Sequence, residues 1–528
     1  MDLLLVDSGD RVDGNGLYDG SSPKGEYTYD IFKMQHIDLL CTGNHELYER
    51  DAAEREFTKT VPNFKGNYIA SNLDIIDPET GSRVPLAQRY KRFTTKNQGI
   101  RVIAFGFLFD FTGNANNTFV QPVEKTIQEA WFQEAIREDV DIFVVLGHVD
   151  LRAPEFEAIY RSIRKQKLNT PIQFFGGHSH IRNFVKYDTK AHALQSGRYM
   201  ETIGWLSIEG IHGHGEASHK VSEGDRELTF NRRYIDNNVI GYHFHTALNE
   251  STFPTELGQN VTKAILVARK EMNLDQKFGC TPQDYFLNRA EYTSNASIFS
   301  WLGEQVLPDI LVREDRLKTP RLAIINTGVI RFDLLQGPFT RDTVYITSPF
   351  KNRFKFIKDV PYSAAKEVLT LLNGGSRIFE SAGLQARRFS VPQQMAIRGD
   401  IVVGRESFEA YPNGAQAPLH LHDDHKPSLK PGYTTKDDAG DDGDDTMHSP
   451  ISFYQLPNCV QSEIMFPHNR DPQTVDMVYL DFVEPWILLA LRYLGQMYDL
   501  SDAGPYIGDS PFPQLLEGWV KEHWPGDC

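Results

Sequence analysis

Phe143-Val144-Val145-Leu146-Gly147-His148 is an apolar run closed by a glycine and then a histidine. A run this short, bounded by glycine, reads as a buried strand rather than a helix. The same arrangement recurs along the chain. Leu3-Leu4-Leu5-Val6 leads to Ser8-Gly9-Asp10, and Ile37-Asp38-Leu39-Leu40 leads to Gly43-Asn44-His45-Glu46. Ile172-Gln173-Phe174-Phe175 leads to Gly177-His178-Ser179-His180. A buried strand ending this way delivers a ligand-type side chain to the carboxyl edge of a sheet, where open α/β sheets place their sites. Together the edges offer the Asp10 carboxylate, the Asn44 amide and the imidazoles of His148, His178 and His180, with His45 in addition. That donor set reads as a metal site. Nitrogen and oxygen donors without a thiolate suit Zn, Mn, Fe or Co. An aspartate can bridge two ions, and ions ~3.5–4 Å apart clamp the attacking and leaving oxygens of a phosphoryl group.

The order of these motifs resembles the calcineurin-like metallophosphoesterases, in their 5′-nucleotidase branch. The resemblance implies a layered α/β/β/α sandwich and two divalent metal ions as cofactors. It makes Asp10 the bridging carboxylate, with Asn44, His148 and His178 completing one ion's site and His180 on the other ion. It makes His45 the catalytic histidine, protonating the leaving oxygen or steadying the transition state. The family pattern also opens with Asp-x-His on a strand upstream of Gly-Asp. Here only Met1-Asp2 precedes the first apolar run, so the sequence leads us to expect that Met1 is internal to a longer product. The expectation for the chain as written is weak loading of the first ion's site. The alternative is a family member with impaired chemistry that acts as a binding protein.

At 528 residues the chain is too long for one ordinary core, so two domains are expected. We read residues 1–245 as the phosphoesterase domain, 246–275 as a linker with a connecting helix, and 276–528 as a second, α+β domain. The second domain resembles the carboxy-terminal domain of 5′-nucleotidases, whose pattern is Asn-Gly-Gly-x-Arg and then, about twenty residues on, Pro-Phe-Gly-Asn. Asn326, Gly328, Arg331, Phe350 and Asn352 occupy the matching positions, while Thr327 and Lys351 stand where the family has glycine. The resemblance implies that Arg331 and Asn326 bind the nucleotide, Phe350 stacks on its base and Asn352 hydrogen-bonds it. UDP-sugars and cyclic nucleotides are alternative substrates. Pattern reading also gives strands at Leu322–Ile325 and Val344–Ile346, and one helix carrying Val123, Ile127 and Trp131.

The net charge of −16 argues against a nucleic-acid polymer as partner, and the resemblance implies a small phosphate ester, a nucleotide above all, in its place. No apolar run approaches the ~20 residues of a membrane span. Compartment stays open, with a secreted or vacuolar location in view if a leader precedes Met1. The cysteines Cys41, Cys280, Cys459 and Cys528 lack metal-ligand spacing; buried thiols are the default, with a Cys280–Cys459 bridge as the alternative. The acidic insertion 420–448, with His420, His422, His425 and the run Asp437 to Asp445, reads as a loose surface loop. His212 and His214 read as loop residues. No Gly-x-Ser-x-Gly elbow or P-loop signature occurs, which removes serine hydrolases and P-loop kinases.

Overall fold

A computed structural model of the chain describes residues 1–211, 228–374, 428–430, 437–440, 442–445, 451–454, 456–526 and 528. His212, His214, His420, His422 and His425 lie outside the described residues. The chain divides into two compact units of mixed α/β structure. The first comprises Met1–Val12, Lys24–Val267 and Lys430–Pro450, and the second Asp13–Pro23, Ala268–Leu429 and Ile451–Cys528.

In the first unit, β1 (Val6–Asp7) pairs in parallel with β2 (Leu39–Leu40). A three-stranded sheet combines β3 (Leu73–Ile76), β4 (Arg83–Pro85) and β7 (Thr118–Val120). The main sheet contains β5 (Tyr90–Thr94), β6 (Arg101–Leu108), β8 (Ile142–His148), β9 (Ile172–Phe175), β10 (Arg182–Asp188) and β11 (Ala191–Ser196), in the order β10-β11-β9-β8-β6-β5. Its centre is parallel (β6, β8, β9 and β11), and its outer pairs are antiparallel. Alternation decides the layering, because successive side chains leave opposite faces of a strand. Ile103, Phe105, Phe107, Phe143 and Val145 pack with Phe132, Phe156 and Ile159 from helices Ala130–Ala135 and Pro154–Gln166. Val102, Ala104, Val144 and Leu146 face the other way, onto Leu39, Cys41 and Ile69. Both faces are therefore covered, as a parallel sheet requires.

The leading strand is shorter than its apolar run. Leu4 and Val6 pack against the cluster around Leu39, while Leu3 and Leu5, on the alternate side, are exposed. The helix expected through Val123, Ile127 and Trp131 is two short ones, Val123–Thr126 and Ala130–Ala135, because Glu129 takes an extended backbone between them. Val123, Ile127 and Phe132 still point inward.

A two-stranded ribbon, β12 (Thr202–Glu209) with β13 (Thr229–Asp236), completes the unit. It corrects the reading of Asp437 to Asp445 as a loose loop. Arg232 donates to both oxygens of Asp437, at 2.7 and 2.6 Å, and the Tyr234 hydroxyl donates to the same carboxylate at 2.8 Å. Arg182 meets Asp444 at 3.2 Å, and the Tyr234 amide donates to the Gly443 carbonyl. These aspartates are held because two buried arginines, Arg232 on the ribbon and Arg182 at the start of β10, need carboxylates.

The second unit is built on a five-stranded sheet, in the order Cys459–Ile464, Arg321–Asn326, Thr474–Leu480, Phe354–Pro361, Ala503–Pro505. Leu322, Ile324, Met477 and Tyr479 face helices Tyr362–Gly374 and Glu484–Tyr493. Ala323, Ile325, Val478 and Leu480 face Trp301, Phe512 and Trp519. Val344–Ile346 is not the expected strand but part of helix Arg341–Thr347, nucleated by a capping box between Thr340 and Thr343 that its β-branched composition hides. Cys280 bridges Cys528 instead of Cys459, since the Cys280 amide donates to the Trp524 carbonyl and brings the carboxy terminus alongside. Cys41 and Cys459 are buried thiols.

His192 on β11 lies against the rings of Phe230 (3.8 Å) and Phe184 (5.4 Å), and burial, helped by Lys186, pushes its pKa down to about 4. The folded chain thus binds this proton less readily than the unfolded chain, whose histidine titrates near ~6.5. The stability contribution is intact above that pH and is lost as the pH falls toward 4, by on the order of 1–3 kcal/mol. Urea unfolding from pH 7 to 4 is expected to show a smaller loss for His192→Phe than for the natural chain; parallel curves would contradict this.

Candidate active site

The four strand ends deliver their loops to one place in the first unit. Asp10 follows β1, Asn44 and His45 follow β2, His148 ends β8, and His178 and His180 follow β9. The Asp10 Oδ2 lies 2.8 Å from His148 Nε2 and 3.9 Å from His45 Nε2, while the His45 amide donates to Asp10 Oδ1 at 2.9 Å. The His148 and His178 rings stand edge to face, 5.3 Å apart. The His178 ring lies tilted against Phe109 at 4.3 Å, and His180 lies 5.8 Å from the Tyr199 ring. Asp10, His178 and His180 all adopt positive φ (62°, 77° and 57°), a strained choice for non-glycine residues that collects at functional sites.

Close packing of the loops depends on glycine. A Cβ on Gly43 would sit 2.1 Å from Asp10 Oδ1, and one on Gly9, itself at φ 91°, would sit 2.2 Å from the Gly43 nitrogen. Glu46, which the sequence reading left without a role, clasps the same loops. Its carboxylate accepts from the backbone N–H groups of Asp10 (3.0 Å), Arg11 (2.6 Å) and Gly43 (2.7 Å). Arg11, also missed, is buried beneath the site. It donates to Asp7 (2.7 Å), the Cys41 carbonyl (2.8 Å), Tyr68 and Glu56. The terminal Glu of Gly-Asn-His-Glu, three residues past a glycine it must reach back to, was the available signal for the first. A lone Arg after Gly-Asp offered none for the second.

The charges are mutually arranged. Burial opposes ionisation of Asp10, but His148 and His45 outweigh it and hold the carboxyl well below its ordinary range. Burial likewise opposes the proton on His148, yet Asp10 beside it raises the pKa. Burial, reinforced by His148, holds His178 well below the usual histidine value, so it is a neutral imidazole. The His148 Nδ1 lies 2.9 Å from the Ser8 carbonyl, which accepts its N–H and leaves Nε2 for the site.

Among the described residues, no group of three or more His, Cys, Asp or Glu side chains is already set as a metal cage. The donors nevertheless fit divalent ions. Asn44 is fully buried, and its Oδ1 has no hydrogen-bond donor, a state that costs ~1–3 kcal/mol unless something electropositive meets it. Imidazole, carboxylate and amide oxygen are donors such ions accept.

In the second unit, the Arg331 guanidinium lies 5.7 Å over the Phe350 ring, and the Arg331 amide donates to the Thr347 carbonyl. Asn326 is fully buried with both amide ends unpaired, as are Asn352 Nδ2 and the hydroxyls of Thr347 and Ser348. Sequence reading did not single out Thr347 and Ser348. Phe482 and Trp486 stack on each other at 6.0 Å at the edge of the core. Arg289 is tied to Asp333 at 2.7 Å.

Replacing Glu46 by Gln turns one acceptor oxygen into an NH₂ that faces donors. A lowered melting temperature, from a loss of ~1–3 kcal/mol, is expected together with reduced metal content; a variant matching the natural chain in both would remove the clasp from the account.

Residues 2–182 match the calcineurin-like phosphoesterase family, and residues 284–488 match the family described as NAD nucleotidase, C-terminal domain. A crystal structure of a 5′-nucleotidase from Candida albicans is 38% identical, with a TM-score of 0.82, covering 99% of this chain and 89% of that one. A Schizosaccharomyces pombe protein is 36% identical over 100% of this chain and 85% of its own length. One from Arthroderma benhamiae, described as a secreted protein, is 37% identical over 99% of this chain and 83% of its own. Among the described residues no helix is long and apolar enough to cross a membrane. The chain belongs to the calcineurin-like phosphoesterases of the 5′-nucleotidase type, enzymes with a phosphoesterase domain followed by a 5′-nucleotidase-type second domain.

Proposed function

We propose that this chain is a metal-dependent phosphoric ester hydrolase that releases phosphate from nucleotides. The observation that carries the reading is the grouping of Asp10, His45, His148 and His178 at the strand ends, beside an Asn44 oxygen with no donor. The 5′-nucleotidase identity of the Candida albicans relative supports the substrate class. Asp10, Asn44, His148, His178 and His180 would hold two divalent ions, drawn from Zn, Mn, Fe or Co. When bound, such ions activate water near neutral pH and neutralise phosphate charge.

The chain's own residues do the rest. Ser8 and Glu46 orient His148 and Asp10 before substrate arrives, so little reorganisation remains for the reaction itself. His45, with its amide anchored on Asp10, is the general acid that returns a proton to the departing nucleoside oxygen. Arg331 and Asn326 would meet the phosphate or ribose, Phe350 the face of the base and Asn352 its edge. A guanidinium binds phosphate as a fork, and an aromatic ring grips any base by its π-face.

A dinucleotide such as NAD is the second reading, favoured by the family description that residues 284–488 match. Chromatographic analysis of the products that metal-loaded protein forms from nucleoside monophosphates, cyclic nucleotides, UDP-glucose and NAD separates the readings. Only the first lose phosphate as such, whereas NAD yields two mononucleotides, UDP-glucose yields UMP and a sugar phosphate, and a cyclic nucleotide yields a monophosphate. Nucleoside monophosphates are expected to be the best substrates; inertness toward the whole panel would overturn the proposal. His45→Ala is expected to lower kcat by ~10²–10⁴-fold. Phe350→Ala should act mainly on KM, by ~5–150-fold, the equivalent of losing one stacked base.

A further inference from the structure

Asn44 and Tyr48 are four residues apart on a short helical turn. Asn44 and Tyr48 both have helical backbone angles, and His45–Leu47 between them is 3₁₀. Residues at that spacing share a face, and here the Asn44 Nδ2 donates to the Tyr48 hydroxyl at 3.0 Å. The Tyr48 ring is held on two sides. Its edge-to-face contact with His45 is 5.1 Å and with Phe111 is 5.4 Å, both near perpendicular.

A carboxamide has two ends of nearly equal shape and opposite polarity. Only the oxygen end can serve a cation, and when it does, the NH₂ end points the other way. In a fully buried residue that N–H must find an acceptor, or the ligating orientation carries the cost of an unmade hydrogen bond. At Asn44 the oxygen is the end without a donor and the NH₂ is the end with an acceptor. The acceptor is Tyr48.

We propose that Tyr48 is a positioning residue for the metal site: its hydroxyl accepts the Asn44 amide N–H and so stabilises the orientation that offers the Asn44 oxygen to a divalent cation. This rests on the reading of Asn44 as a ligand. Its ring also forms the wall against which His45 stands, and Phe111 backs that wall.

The test is Mn²⁺ binding by titration calorimetry, with melting temperature as the fold control, in the natural chain, Tyr48→Phe, Asn44→Ala, Asn44→Asp and the double variant Asn44→Asp/Tyr48→Phe. Tyr48→Phe keeps the ring and removes the acceptor. It is expected to weaken Mn²⁺ binding ~10–100-fold with little change in melting temperature, the range typical of groups that orient a metal ligand. A carboxylate has no N–H to satisfy, so in the Asn44→Asp background the same change should cost less than ~3-fold. Kinetically, kcat for the best substrate falls in Tyr48→Phe while KM stays within ~2-fold, because no substrate contact is removed.

Equal weakening by Tyr48→Phe in both backgrounds overturns the proposal. So does unchanged binding in Tyr48→Phe when Asn44→Ala has lost it; that result leaves the ligand reading standing. Unchanged binding in Asn44→Ala overturns the ligand reading itself, and the role of Tyr48 with it. If Asn44→Asp does not fold, the comparison of Tyr48→Phe with Asn44→Ala still decides.

Discussion

The Glu46 carboxylate, buried and accepting three backbone N–H groups from two loops, is the constraint on which the rest of the site depends. Asp10 and Gly43 are far apart in sequence, and this carboxylate draws both amides to itself. Burial pushes the Glu46 carboxyl toward its neutral form, and Arg11 beneath it is the chief influence holding it back. A buried charge surrounded by donors and backed by a guanidinium is rigid, because every alternative arrangement strands a polar group in a low dielectric. That rigidity keeps Asp10 in its left-handed backbone conformation. With Oδ1 bound to the His45 amide, Oδ2 is left facing His148.

Much of this was legible in the sequence because strand periodicity and glycine punctuation are local signals. The β8 and β9 runs read correctly since a buried parallel strand needs nothing but apolar residues and a break. The donors at their ends were visible for the same reason. What stayed hidden depends on partners distant in the chain. Glu46 gains its role from amides of residues 10 and 11, and Arg11 gains its own from Asp7, Glu56 and Tyr68. The Asp437 to Asp445 segment looks like a charged loop until Arg232 and Arg182 are placed beside it. Val344–Ile346 misled because a β-branched residue on either side of Tyr345 outweighs, by eye, a capping box begun four residues upstream of Val344.

The departures from the second domain's family pattern have a structural explanation. Neither Thr327 nor Lys351 sits at positive φ, so neither position needs glycine for its backbone. Thr327 instead spends its hydroxyl on the Pro457 carbonyl at 2.8 Å, within the short turn Thr327–Val329 that ends the strand Arg321–Asn326. Lys351 points to solvent. The glycines of the pattern are thus replaceable at these two places without moving Arg331 off Phe350. Polar atoms of Asn326, Thr347, Ser348 and Asn352 are buried without hydrogen-bond partners, which native interiors rarely leave so.

A chain of net charge −16 that acts on phosphates poses an electrostatic problem, and distance resolves it. Exposed charges more than ~8–10 Å away are largely screened at physiological salt. What a phosphate meets is therefore the local set and not the sum. Within the acidic run Asp437 to Asp445, Asp437 and Asp442 pair with Arg232 and Asp444 with Arg182, which removes part of that field at its source. In the second unit, the Arg331 guanidinium lies over the Phe350 ring, and Arg289 is tied to Asp333. Local pairing of this kind decides the field at any one place, and the overall acidity of the surface can vary without altering it.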